Sequence, residues 1–177
     1  MHIVITVLIA VAGILFWLGR AASGAREIAD TAQEISNIPR KVRYRKKAGK
    51  RGLSLIENPV EAATVLMISI ARMENVGRVS DEQAGGIATQ LAAHMQMERA
   101  DAEDMILQMR SLTQRLKQPD STLYPMVDLL KNNIDRQDAQ ELSAMLQDIA
   151  VIDSPINSDQ INFIRRFEER MGIGTWA

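Results

Sequence analysis

Two stretches of this sequence repeat one pattern: IARMENVGRVSDEQAGGI at residues 70–87 and IAVIDSPINSDQINFI at residues 149–164. We call each stretch a hinge, because its pattern is that of a turn joining two helices. Both begin with Ile-Ala, pass an acidic residue and a polar turn, and restart at a residue that caps helices well. A glutamine follows each cap by three residues, which is the spacing of a capping box. The repeat therefore predicts two helix pairs, whose second helices begin at the capping boxes Ser80–Gln83 and Asn157–Gln160.

Apolar residues at helical spacing continue on both sides of the hinges. They predict six helices, at about 59–75, 80–96, 99–117, 120–133, 135–152 and 157–171. The sequence NPVE at 58–61 predicts a further capping box before the first helix, and Gly172 predicts the end of the last. Only 4% of residues are aromatic, and alternating β-type runs are absent beyond the first dozen positions. The expected fold is an all-α bundle whose core contains Leu66, Ile87, Leu146 and Ile164.

The first 20 residues predict a transmembrane anchor. Residues 3–19, IVITVLIAVAGILFWLG, contain no charge and would reach about 25 Å as a helix, the short end for one span. A cleaved signal peptide is the alternative, but the basic residues follow the apolar run instead of preceding it. Because Lys and Arg are retained on the cytoplasmic side, the rest of the chain is expected to be cytoplasmic.

A basic arm precedes an acidic body. Residues 1–51 carry ten Lys/Arg and three Asp/Glu, net +7, whereas residues 52–177 carry eleven and nineteen, net −8. Residues 21–56 are expected to form an amphipathic helix and a juxtamembrane linker. A basic cluster in this linker contains no acid and consists of Arg40, Lys41, Arg43, Arg45, Lys46, Lys47, Lys50 and Arg51. Contact with anionic lipid head groups and a solvated linker that only sets topology both stay open, while the single aromatic residue, Tyr44, argues against nucleic-acid binding.

Residues 57–173 resemble the TerB-like family. The family pattern runs Ile-Ala-x-Ala-Asp-Gly-x-(Val/Ile)-Ser-x-x-Glu and occurs at two related places, which in this chain begin at Ile70 and Ile149. This sequence departs from the pattern in three ways. Neither copy has the Asp-Gly dipeptide, both have Gln in place of the final Glu, and the first copy carries two extra residues.

The resemblance implies a function in protein interaction. The family is named for a tellurite-resistance protein, and the same fold forms the N-terminal cytoplasmic part of the membrane co-chaperone DjlA, where one short anchor also precedes the domain. This implies a single-pass protein of the bacterial inner membrane whose helical domain docks a protein partner, in envelope stress or tellurite resistance. Co-chaperone activity is not implied, because the sequence has no His-Pro-Asp tripeptide and hence no J-domain.

The resemblance also implies an alternative, a module that binds or senses a divalent cation through the hinges. The acidic residues at the corresponding hinge positions of this sequence are Glu74, Asp81, Glu82, Asp153 and Asp159. Each hinge offers only one to three carboxylates, whereas calcium takes about six to eight oxygen ligands. Asp81, Glu82 and Asp159 are already explained as acids in the first turn of a helix, where the helix dipole favours them. No other cofactor is expected.

Enzymatic activity is not predicted. The chain has no cysteine and two histidines, of which His94 lies on a helix with Glu98 as its nearest acidic neighbour in sequence. The pair Gly85-Gly86 lacks a P-loop pattern and predicts close helix packing instead. No catalytic residues are therefore expected.

Overall fold

The computed structural model describes residues 52–74 and 77–174, and these ranges are all-helical, as predicted. They contain no β-strand. Short 3-10 helices occupy Gly52–Leu55 and Pro119–Thr122. The six α-helices are α1 (Pro59–Arg72), α2 (Asp81–Met95), α3 (Arg99–Thr113), α4 (Leu123–Lys131), α5 (Arg136–Ala150) and α6 (Ser158–Met171). The predicted anchor at 1–20, the amphipathic segment and the basic cluster lie outside the described residues. Within the described ranges, no helix combines the length and apolar character that crossing a bilayer requires.

Helix α1 is the centre of the bundle. Every residue from Glu61 to Arg72 is buried, and α1 packs against α2, α3, α4 and α5, while α6 packs against α4 and α5. A helix that is apolar on nearly all sides must be surrounded in this way. The four predicted core residues all belong to the single buried cluster: Leu66, Ile87, Leu146 and Ile164.

Both repeated capping boxes are formed. Ser80 Oγ accepts the Gln83 N–H at 2.9 Å, and Gln83 Oε1 accepts the Ser80 N–H at 3.1 Å. Asn157 and Gln160 make the same reciprocal pair at 2.9 and 3.0 Å. The capping box expected at residues 58–61 has a different arrangement. The Glu61 carboxylate accepts the N–H of Glu57 at 3.2 Å instead of the N–H of the cap residue, Asn58.

Two helices end earlier than the periodicity predicts. Helix α1 ends at Arg72 and α3 ends at Thr113, not near 75 and 117. The reason is a tertiary contact: Arg72 donates to the carbonyls of Gly77, Thr113 and Leu116. Gly77 has φ of +84°, a conformation that glycine adopts at little cost.

The adjacent glycines of α2 have different surroundings, and we expect them to respond differently to alanine. A Cβ added at Gly85 meets nothing within 4 Å, whereas one at Gly86 would lie 2.3 Å from Ile152 Cδ1. Gly85→Ala should therefore raise the free energy of unfolding by about 0.5–1 kcal/mol through helix propensity. Gly86→Ala should raise the free energy of unfolding by less than Gly85→Ala does, because the Ile152 side chain must move to make room for the new methyl group. Chemical denaturation of the two variants measures the difference, and equal gains would contradict the close packing at Gly86.

Candidate functional site

A cavity of about 740 Å³ opens to solvent beside the end of α1, the segment that follows α3, and the start of α6. We call it the basic groove. Its lining includes four cations and two carboxylates, a net charge of +2. The lining residues are Arg72, Met73, Gly77, Lys117, Gln118, Pro119, Asp120, Asp159, Asn162, Arg165 and Arg166. The groove is thus a positive depression on a body whose net charge, counted over residues 52–177, is −8.

Arg72 forms the buried end of the groove. Its side chain is only 8% exposed, and Nε, Nη1 and Nη2 donate to Gly77 O at 2.9 Å, Thr113 O at 2.8 Å and Leu116 O at 2.9 Å. Burial lowers the pKa of Arg72, but an arginine begins so far above neutrality that it stays charged. These three hydrogen bonds use three of the five guanidinium N–H donors and do not neutralise the charge, because carbonyls carry no net charge.

Helix α6 brings two adjacent arginines to the groove. Arg166 Nη2 lies 3.4 Å from Asp120 Oδ2, a longer contact than the 2.7 Å between Arg165 Nη1 and Glu169 Oε1. Arg165 Nη2 also approaches Asn162 Oδ1 at 3.4 Å. Both guanidinium groups are partly exposed, so each still has donors available to solvent or to a ligand.

Lys117 completes the set of cations. It is exposed and forms no ion pair with any residue in the described ranges. Asp159 is exposed in the first turn of α6, where its N–H bonds to Asn157 Oδ1 at 3.0 Å. The groove thus has an unneutralised ammonium on the segment after α3 and arginines on α6.

The five predicted metal-site residues belong to the two hinges: Glu74, Asp81 and Glu82 to the first, and Asp153 and Asp159 to the second. Across residues 52–74 and 77–174, no three His, Cys, Asp or Glu side chains are grouped so that they could hold a metal ion. Glu74 Oε2 instead accepts a 2.6 Å hydrogen bond from Gln83 Nε2. Asp81 and Glu82 are exposed in the first turn of α2, Asp153 is exposed in the second hinge, and Asp159 lines the basic groove.

The glutamines of the two hinges have different partners. Gln83 Nε2 bonds within its own hinge, to Glu74, whereas Gln160 Nε2 reaches Ile70 O of α1 at 3.1 Å. Ile70 is the first residue of the first hinge motif. The second hinge is thereby fastened to the first by a buried hydrogen bond between residues 90 positions apart.

His94 has a different neighbour from the one that its sequence position indicates. Its Nδ1 lies 3.9 Å from Glu141 Oε2 on α5, and both side chains are more than one-third exposed. Gln90 Nε2 donates to Asp148 Oδ2 at 3.0 Å across the same pair of helices. The geometry is that of polar contacts along the solvent edge of two packed helices.

Sequence reasoning missed the basic groove. Its cations come from three separate segments, and none of them is unusual alone, since basic residues are common at helix C-termini and on helix surfaces. The adjacent pair Arg165-Arg166 is the one local signal of a cationic surface. Comparisons of the chain with protein-family models, with curated proteins and with solved structures found no match.

Proposed function

We propose that this chain is a membrane-tethered cytoplasmic interaction module of the TerB-like type. The observation that carries the proposal is the basic groove, an open site lined by four cations and two carboxylates. The capping boxes at Ser80 and Asn157 support the resemblance, because they stand at the same position of each hinge motif. The apolar run at 3–19 supports the tether.

In this proposal the anchor holds the domain at the cytoplasmic face of a bacterial inner membrane, and the basic cluster at 40–51 contacts anionic lipid. The domain then presents the basic groove to a protein partner. A role in envelope stress or in tellurite resistance belongs to the same proposal and rests on the family resemblance alone.

Chemical cross-linking of intact membranes followed by affinity capture of the full chain tests this function. The chain should stay in the membrane after an alkaline wash and should enrich defined partner proteins. The matched control is the same anchor and linker, residues 1–56, joined to an unrelated soluble domain. A capture pattern identical to that control would overturn the proposal, because the partners would then belong to the tether.

The alternative, a module that senses a divalent cation, makes a separate prediction. Calorimetric titration of the full chain with calcium should then release or absorb heat, and Asp153→Asn should abolish the signal. The interaction module predicts no heat at millimolar calcium.

A further inference from the structure

We propose that the basic groove binds an acidic linear segment of a partner protein. This inference rests on the proposed interaction function and adds the chemistry of the partner. It depends on three properties of the groove, which are its charge relative to the rest of the domain, the incomplete pairing of its cations, and its size and mixed lining.

The charge contrast selects an anionic partner. The lining has a net charge of +2, whereas residues 52–177 together carry −8. An acidic polypeptide is repelled by most of such a surface and is attracted at the groove. Electrostatic complementarity of this kind fixes where a partner docks and suppresses other orientations.

The cations of the groove keep N–H donors that a ligand can use. Lys117 forms no ion pair with a described residue, and the 3.4 Å contact between Arg166 and Asp120 is longer than the 2.7–3.0 Å of the other arginine ion pairs in the described part of the chain. A ligand carboxylate can therefore take the free donors of Arg166 in the two-pronged geometry that guanidinium groups prefer. Buried Arg72 adds positive potential without needing to move.

The size and the lining favour a peptide over a bare anion. A volume of about 740 Å³ is within the range of pockets that hold a ligand of many atoms. Met73 and Pro119 offer apolar surface, while Gln118 and Asn162 offer amide donors and acceptors suited to a peptide backbone. Asp120 and Asp159 would oppose a densely charged phosphate more strongly than a chain that alternates charge with neutral backbone.

Fluorescence anisotropy with the full chain in phosphatidylcholine nanodiscs tests the assignment. The probe is a short fluorescein-labelled peptide of alternating Glu and Asp, and its neutral counterpart has Gln and Asn. We expect the acidic peptide to bind more tightly than the neutral one and to lose affinity as salt rises. Lys117→Gln combined with Arg166→Gln should weaken binding about tenfold, as the loss of charge-assisted hydrogen bonds predicts.

Two controls separate the groove from other positive charge. Arg99→Gln removes an exposed cation that pairs with Glu103 outside the groove, and it should leave the affinity unchanged. Replacing all eight basic residues of 40–51 by Gln should keep the dependence on Lys117 and Arg166. Equal binding by the double groove variant and Arg99→Gln would overturn the assignment, as would binding that depends only on the basic cluster.

The experiments distinguish a failure of the peptide assignment from a failure of the proposed interaction function. If the double groove variant still captures the same cross-linked partners from membranes, the interaction module stands and the groove assignment falls. If the variant instead loses binding to vesicles containing anionic lipid while the acidic peptide never binds, the groove recognises a head group and the peptide assignment is wrong. Unchanged thermal unfolding of the variant shows that either loss is local.

Discussion

Replacing Arg72 by methionine should lower the free energy of unfolding by about 2–4 kcal/mol. Arg72 holds three segments together, because its guanidinium donates to carbonyls in the first hinge, at the end of α3 and in the turn beyond α3. The bond to Thr113 O is buried, so water cannot easily replace it, whereas the other two are partly accessible. Thr113 O would keep the N–H of Leu116, which it accepts at 2.9 Å, so the cost is the loss of hydrogen bonds from a charged donor, each worth about 1.5–3 kcal/mol.

An opposing effect limits the loss. The folded protein must remove the Arg72 charge from water, and the lowered pKa of Arg72 reflects that desolvation. Methionine fills a similar length of side chain and avoids this cost. The hydrogen-bond loss should still dominate, because three carbonyls lose one shared donor group.

Urea denaturation of the full chain in detergent, with Arg72→Met beside Arg99→Met, measures the effect. Arg99 has one exposed partner, Glu103, so its replacement should cost less than about 0.5 kcal/mol. Arg72→Lys distinguishes charge from geometry, since a single ammonium cannot reach three separated carbonyls. Full recovery of stability in Arg72→Lys would contradict the idea that a planar guanidinium is needed to join the three segments.

The parts of this fold that sequence predicts are those encoded within one or two turns of helix. The capping boxes at Ser80 and Asn157 and the left-handed end at Gly172 depend on residues at most three or four positions apart. The core residues follow from apolar spacing, since each amphipathic face must be buried. Local chemistry and tertiary structure agree at these places.

The sequence does not reveal contacts between distant segments. Arg72 is an ordinary basic residue in the last turn of a helix, and its partners Thr113 and Leu116 are 41 and 44 positions away. The basic groove has the same origin, because it exists only where α1, α6 and the segment after α3 converge. The early ends of α1 and α3 are consequences of that convergence, so periodicity alone places them several residues too late.

Replacing Gln160 by glutamate is the second change with a large expected effect. It should lower the free energy of unfolding by about 2–4 kcal/mol at neutral pH. Gln160 is completely buried, its Oε1 accepts the Asn157 N–H, and its Nε2 donates to Ile70 O. In Gln160→Glu the capping oxygen remains, but a carboxylate oxygen replaces the donor and faces the Ile70 carbonyl. The variant therefore tests whether the buried bond to Ile70 O requires an amide at position 160.

The loss of stability in Gln160→Glu should be larger at high pH than at low pH. Burial and the opposing carbonyl raise the pKa of the introduced carboxyl above its unfolded value, so the folded state favours the protonated form. The penalty is then complete above the raised folded-state pKa and shrinks as the pH falls through it, and it is nearly absent below the unfolded value, about pH 4. The protonated carboxyl can again donate to Ile70 O.

Two matched variants identify the cause. Gln160→Leu removes both hydrogen bonds without adding charge, and its smaller loss, about 1–2 kcal/mol, should not change between neutral pH and about pH 4. Gln147→Glu adds the same charge on the exposed side of α5 and should be nearly neutral at either pH. If Gln160→Glu and Gln160→Leu lose equal stability at every pH, then Ile70 O does not oppose the carboxylate and the buried bond between the hinges is not what selects glutamine.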